Sequence, residues 1–424
     1  MTRCIGCHCC EVACNEQNNN PPHLQWRKVG ELEGGIYPDA QRFHLSMGCN
    51  HCVEPSCLKG CPVDAYRKDP VTGIVLHNAD ACIGCQYCTW NCQYGVPQYN
   101  DARGVVGKCD MCHNRLDVGL EPACVSVCPS SAIQIELVNI AEWRQNMAAA
   151  DAPGMPPALV SISTTRITQP PLPVHRTDGS RVKPEHPHTP LIVMTVLMQL
   201  AVGLITASLF LNDPKWIASA AFAVLNVALA ASTLHLGRPI HAIRALRMWK
   251  RSWLSREVLL FTLFAGAASA YVGALWIGSP LAIVAGVMAA ALGVVGTIAS
   301  SCIYLVPARP AWNMIHTTLS FLLTAAILGA SFSGQFQIFA IGAAIAQIAN
   351  EVAKYIRLSI STEREQIDSA RLLGGKLFAA RLLLLLVPFA PAALAAELLG
   401  RYLFFVTVVP RNVASTYFSA KEAA

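Results

Sequence analysis

The sequence predicts two folds in series: a small α+β domain organised by cysteines, then an all-α polytopic membrane domain of about eight helices. Two observations carry this. Of 18 cysteines, 17 lie at or before Cys128 and only Cys302 lies beyond. The 424 residues are 53% hydrophobic and only 14% charged, a balance unusual for a soluble protein, and the long apolar segments all follow Pro190.

Charge divides at the same place. Residues 1–140 hold 10 Lys+Arg against 14 Asp+Glu, leaving 22 against 12 for the remainder. Basic residues between apolar helices are topology signals, whereas a nucleic-acid partner requires them on a soluble surface with groove-reading or stacking elements. No nucleic-acid partner is expected. MTR is all that precedes Cys4, with no apolar signal segment behind it, so the cysteine domain is expected to lack an export signal.

The cysteines form four runs. Cys4, Cys7, Cys10 and Cys14 are spaced CxxCxxCxxxC, and Cys82, Cys85, Cys88 and Cys92 repeat that spacing. Cys49, Cys52, Cys57 and Cys61 read CxxCxxxxCxxxCP, while Cys109 and Cys112 are followed after an eleven-residue gap by Cys124 and Cys128. Thiols two residues apart are poorly placed for several disulfides at once. One tetrahedral zinc takes only four ligands, usually as two separated pairs. The bacterial ferredoxin run, CxxCxxCxxxCP, fits the arithmetic, and its fourth cysteine serves the other cluster of a pair. Sixteen thiolates then make four [4Fe-4S] clusters in a double ferredoxin-like iron–sulfur domain, with Cys9 left as a bystander.

The crossover rule gives the wiring. Cys49, Cys52 and Cys57 go with Cys92, and Cys82, Cys85 and Cys88 with Cys61. The outer runs pair around them: Cys4, Cys7 and Cys10 with Cys128, and Cys109, Cys112 and Cys124 with Cys14. Proline after Cys61 and Cys128 turns the chain. GIVL at 73–76 and AIQI at 132–135 are expected to supply short strands, with a turn at DPVTG, 69–73.

A proline-rich linker, 141–189, is expected to run extended without regular helix and to drape over a partner or the cysteine domain. Behind it, spans are expected near 190–212, 215–236, 257–277, 281–304, 313–332, 335–355, 372–390 and 392–411, each long enough for ~30 Å of hydrocarbon. The membrane domain is thus 190–412, with a tail at 413–424. An even count puts both chain ends on one side. Loops 237–256, 305–312 and 356–371 fall there with most of the arginines, which makes that side cytoplasmic by the positive-inside rule.

CIGCHCCEVAC, CNHCVEPSCLKGCP, CIGCQYCTWNC and CDMCHNRLDVGLEPACVSVCP, across 4–130, closely resemble the four-cluster iron–sulfur subunit of the dimethyl sulfoxide reductase family of molybdopterin oxidoreductases. STLHLGRPIHAIRALRMWKRSWLSREVLL, 232–260, resembles the quinol-interacting membrane anchor of the same enzymes, usually a separate chain. The resemblance implies a molybdopterin catalytic subunit as partner, exchange of electrons with menaquinone or ubiquinone, and residence in a bacterial inner membrane. It implies four cubanes, because Cys82, Cys85 and Cys88 stand where some relatives carry tryptophan and a three-iron cluster. Family members begin with a short strand before the first run, whereas Met1 stands only three residues ahead of Cys4, so either the true start is expected upstream or the first cluster is expected to be less shielded.

His235 and Arg238, at the end of the second span, are the candidate quinone contacts. A histidine can hydrogen-bond a quinone oxygen and pass its proton, although a helix-end histidine also satisfies free carbonyls. Trp253, Arg256 and Glu257 either cap the third span or line the quinone mouth. Glu397 and Arg401, four apart, either pair or lie on a proton path, and the intramembrane His316, Glu351 and Arg381 are similar cases. Three functions follow. The first is a reductase subunit fed by quinol; the second is a cytoplasm-facing sulfite dehydrogenase sending electrons to quinone. The third is a redox-driven ion pump, which requires a chain of buried charges across several helices, and these residues look scattered.

Overall fold

The computed structural model describes residues 1–146, 157–176, 182 and 184–411. Of the sequence expectations, PGMPP in the linker lies almost wholly outside the described residues, and the tail 413–424 lies outside them. The chain divides into two compact units, Met1–Lys183 together with the residues from Pro410, and Pro184–Val409.

In the first unit every cysteine run carries a short helix. These are α1 (Cys9–Asn18), α2 (Ser56–Gly60), α3 (Tyr87–Asn91), α4 (His113–Leu116) and α5 (Ala123–Ser126). α2 packs on α3, and α1 on α5. The inner two runs therefore face each other inside the outer two.

Strands β1 (Lys28–Gly34) and β2 (Gln41–Met47) form an antiparallel pair between the first and second runs. β3 (Tyr66–Lys68) pairs with β4 (Val75–His77), and β5 (Gln98–Asn100) with β6 (Val105–Gly107). The β3–β4 turn is closed by Asp69, whose Oδ1 accepts the Val71 and Thr72 N–H groups at 2.9 and 2.7 Å, as DPVTG foretells. AIQI at 132–135 forms no strand: no neighbour offers it a ladder, and Ile133 packs beside Cys10, Cys124 and Val29 instead.

The described parts of the linker up to Arg176 lie on this unit. It contains a short helix that its proline content argued against, α6 (Ile140–Gln145), which ends before the first proline and is capped by Asn139 accepting from Ala141 N. Trp143 buries against Ala158 and Ile162 and donates to Ser163 O at 2.9 Å. Further on, β7 (Val174–Arg176) adds to β1.

The second unit is helical. α7 (Thr189–Ser208), α8 (Lys215–Thr233), α9 (Trp253–Trp276), α10 (Ala282–Cys302) and α11 (Ile315–Ser333) are the five described helices long and apolar enough to cross a membrane. α7 is the axis, packed by α8, α10, α11 and α15 (Ala390–Val406). It approaches α11 through Gly203 and Gly329. A Cβ on Gly203 would overlap the Ala325 carbonyl, and one on Gly329 the Gly203 backbone. Small residues at such a crossing let two backbones touch where lipid supplies no hydrophobic drive.

Eight spans are not supported. α12 (Gln337–Ser359) is long but carries Glu351, Lys354 and Arg357. Of the segment expected at 372–390, only α14 (Lys376–Leu385) forms beyond Gly374 and Gly375, while α13 (Arg364–Leu373) lies mostly in the expected loop 356–371. Ten residues of helix reach about 15 Å, half a hydrocarbon layer. The even count, and the shared side it implied for the chain ends, go with it.

Candidate redox and quinone sites

Each cluster loop repeats one backbone device. Two residues past the first cysteine of each run the chain turns left-handed, at Gly6 (φ 69°), His51 (41°), Gly84 (69°) and Met111 (63°). Three residues past Cys61 and Cys128 it does so again, at Asp64 (58°) and Ser131 (49°). Such residues turn peptide N–H groups inward onto sulfur. Cys49, Cys82 and Cys109 accept from His51, Gly84 and Met111 at 3.4, 3.4 and 3.5 Å, and Cys61 and Cys128 from Ala65 and Ala132 at 3.3 and 3.2 Å. A sulfur surrounded by donors is prepared to carry negative charge.

The sulfurs gather across runs. One cavity is lined by Cys49, Cys52, Cys57 and Cys92 together, with Lys108 and Ser161 on its wall. Cys88 lies within electrostatic reach of Cys85, Cys61 and Cys82, and Cys14 within reach of Cys109, Cys124 and Cys112. Of the remaining set, Cys4 packs with Cys10 beside Cys124, and Cys7 and Cys128 both act on Cys9. Burial, and then the neighbouring thiolates, pushes Cys14, Cys52 and Cys85 up to about 12. Thiols so enclosed ionise only against a strongly cationic group, which four-iron cubes supply and water does not. Among the described residues no three His, Cys, Asp or Glu side chains close on a single metal ion. The four thiols that line one cavity suit an iron–sulfur cluster.

Three polar residues around the thiols had no signal in the spacing. Lys108, 3% exposed, donates to the carbonyls of Val75 and, at 2.7 Å, Cys109, and reaches the Cys49 sulfur at 3.7 Å. Arg27 faces the charges of Cys124, Cys109, Cys10 and Cys14 and donates to Ser46 Oγ at 3.0 Å. His51 accepts the Val75 N–H on Nδ1 at 3.0 Å, which leaves Nε2–H for the Cys109 sulfur at 3.9 Å. A residue of the second run therefore reaches a cysteine of the fourth. Cys9 donates to the Cys7 carbonyl at 3.7 Å.

In the helical unit His235 follows the end of α8. Its ring is enclosed and lies within hydrogen-bonding reach of the Ser232 backbone at the helix end. Arg238 precedes a 3-10 helix, Pro239–Leu246, whose Ile240 and Ile243 are exposed. Arg256 is committed to structure: it donates to the carbonyls of Trp249 (3.0 Å) and Lys250 (2.8 Å) and stacks 4.4 Å over Trp253. It staples the basic loop to α9 and is a poor mouth residue. Glu257, one position on, is buried at 7% exposure and faces Ser300 of α10. The expected Glu397–Arg401 pair does not form. Glu397 pairs with Arg381 at 3.6 Å, and Arg401 donates to Gln199 at 2.9 Å.

Comparison with known proteins divides the sequence the same way. Residues 40–137 match the family model of the 4Fe-4S dicluster domain, and residues 184–349 that of the DMSO reductase anchor subunit (DmsC). Over 160 residues, 36% of this chain and 78% of the relative, it is 37% identical to an anaerobic dimethyl sulfoxide reductase chain of Escherichia coli (strain K12). A sulfite dehydrogenase subunit of Allochromatium vinosum is 35% identical over 150 residues, 30% of this chain and 62% of that one. The hydrogenase-2 operon protein HybA of Escherichia coli O157:H7 is 37% identical over 158 residues, 31% and 48% of the two chains.

Proposed function

The protein belongs to the iron–sulfur subunit family of dimethyl sulfoxide reductase, with the anchor of those enzymes fused behind it, and from that premise we propose that it joins the quinone pool to a molybdopterin catalytic subunit. In this reading residues 1–140 hold four [4Fe-4S] clusters on the sixteen cysteines named above, 141–189 link, and 190–412 anchor. Such clusters, when bound, supply one-electron centres between which charge hops. The protein's own residues do the rest. Left-handed turns aim N–H groups at sulfur, Lys108 and Arg27 offset thiolate charge, and the linker closes over the Cys52 side through Ser161.

The observation that carries the reading is that the dicluster match and the anchor match fall on one polypeptide. It gives the wire and its foot in the lipid a one-to-one ratio. Protons must part from electrons at the membrane end. His235 serves there, as a histidine able to bond a quinone oxygen and pass its proton, with the Ser232 backbone at the helix end to hold the ring in place. Glu257 is the second group, as a buried carboxyl on the neighbouring helix. The arginine-rich loops support a bacterial inner membrane with the cluster unit in the cytoplasm.

The reductase direction, quinol to an S-oxide or N-oxide, is the first reading. Electron flow from sulfite to quinone is the second, supported by the likeness to a sulfite dehydrogenase subunit. Purification of the protein with its bound partner, then assay with sulfite, dimethyl sulfoxide and trimethylamine N-oxide against a quinone couple, decides between them. A complex without a molybdenum-containing subunit contradicts both.

A further inference from the structure

The charged residues that look scattered in the sequence meet inside the helical unit. Arg381 of α14 pairs with Glu351 of α12 at 3.0 Å and with Glu397 of α15 at 3.6 Å. Glu351 accepts from Ser320 of α11 at 3.2 Å, Glu397 from Thr324 at 2.7 Å, and Gln347 donates to Ser320 at 3.0 Å. Arg401 bonds Gln199 of α7 and lies 3.7 Å over the Phe321 ring, and Lys354 faces Phe404. Gly400 makes the room, since a Cβ there would overlap the Arg381 guanidinium.

A purely structural clamp would satisfy its polar atoms, because an orphan in a dry interior is costly. This cluster does not. Arg381 Nε, Arg401 Nε, Gln347 Oε1 and Glu397 Oε1 are enclosed and, among the described residues, without a hydrogen-bond partner, on side chains 4% exposed or less. Two are donors and two are acceptors. A bound anion would serve only the first pair and a bound cation only the second; water serves both.

The polar groups also run in a line. His316, Ser320 and Thr324 recur every fourth residue on α11, opposite Gln347, Glu351 and Lys354 on α12 and Glu397 and Arg401 on α15. Half-buried His316 bonds Asn350 at 2.8 Å, at the end where α11 begins and α12 and α15 finish. From His316 to Thr324 the ladder descends about 12 Å, less than half of a ~30 Å hydrocarbon layer.

We propose that this ladder is a water-filled proton inlet, running from the His316 end of the helical unit to the Glu397 carboxylate and stopping there. A proton leaves bulk water at His316, passes along water held by Ser320, Glu351 and Gln347, and bonds to the unpartnered Glu397 Oε1. No electron and no other group travels with it. The charged groups facing this path are Glu351 and Lys354 from α12, Arg381 from α14 and Arg401 from α15, with His316 at the mouth and neutral Gln199 and Thr324 from α7 and α11. The inlet does not depend on where quinone binds, since His235 and Glu257 are not among its residues.

Two measurements on the unmutated, cluster-loaded full chain in liposomes test it. Phe321 and Phe264 are both 0% exposed, but only Phe321 borders the ladder. Under brief X-ray radiolysis with peptide mass spectrometry, Phe321 is oxidised roughly tenfold faster than Phe264, because bound water is the radical source; equal rates overturn the proposal. Dicyclohexylcarbodiimide, which modifies protonated carboxyls in apolar surroundings, labels Glu397 increasingly as pH is lowered. Absence of that label at every pH overturns proton delivery even where the chamber is wet.

Discussion

His51 shows how one side chain tunes a site it does not ligate. Its Nε2–H toward Cys109 adds a donor to a sulfur that already accepts from Met111 N, and each such bond favours the reduced cluster. His51→Leu is expected to lower the potential of the cluster on Cys109 by roughly 40 mV, about 1 kcal/mol for one electron. Redox titration followed by paramagnetic resonance reads it, and an unchanged potential contradicts the assignment. The four cysteine runs were legible, because their three-residue step is a pattern in the chain itself. His51, Lys108 and Arg27 were not, since each reaches sulfur through the tertiary fold and leaves no period. His77 makes a pH prediction. Burial, then the charges of Lys108 and Arg103, lowers it to about 4, below the ~6.5 of an unfolded histidine. The unfolded chain thus binds more protons between those values, so stability is intact above pH ~6.5 and falls as pH drops toward 4. His77→Phe, which keeps a ring against Tyr66, is expected to flatten that dependence in thermal unfolding of the first unit.

Helices were legible where length and hydropathy agree, and misread where a break intervenes. α7 to α11 carry no internal charge that interrupts their apolar run, except Arg256 and Glu257 at the start of α9. Gly374 and Gly375 follow α13, and Pro388 and Pro391 stand at the turn from α14 to α15, so the two spans expected between 372 and 411 become pieces of 10 and 17 residues. The same pieces bring Arg381 back to Glu351 and Glu397, a meeting that separations of 30 and 16 residues hide. Arg381→Leu strands two buried carboxylates and is expected to cost about 3–5 kcal/mol, seen as a lowered unfolding temperature in detergent. Gly203→Leu forces α7 off α11 and is expected to cost about 1–3 kcal/mol or more by overpacking. A Gly203→Leu variant as stable as the parent would contradict the close crossing.

At the scale of the whole molecule, thiols and lipid-facing helices share one polypeptide, and each half explains what the other lacks. On the proposed reading, a cluster unit alone has no quinone, and a helical unit alone has no electron carrier. His235→Ala in the assembled complex is expected to slow quinol oxidation about a hundredfold or more, the usual weight of a positioned acid–base group, while iron content and partner binding stay unchanged. Loss of iron in that variant would instead make His235 a structural residue.

Everything rests on the thiol sets being cluster ligands, and anaerobic purification of the full chain followed by iron and acid-labile sulfide analysis tests this most directly. Four cubanes predict about sixteen irons and as many sulfides per chain, with reducible paramagnetic signals. One or two zinc ions per chain, with no labile sulfide, would contradict the account.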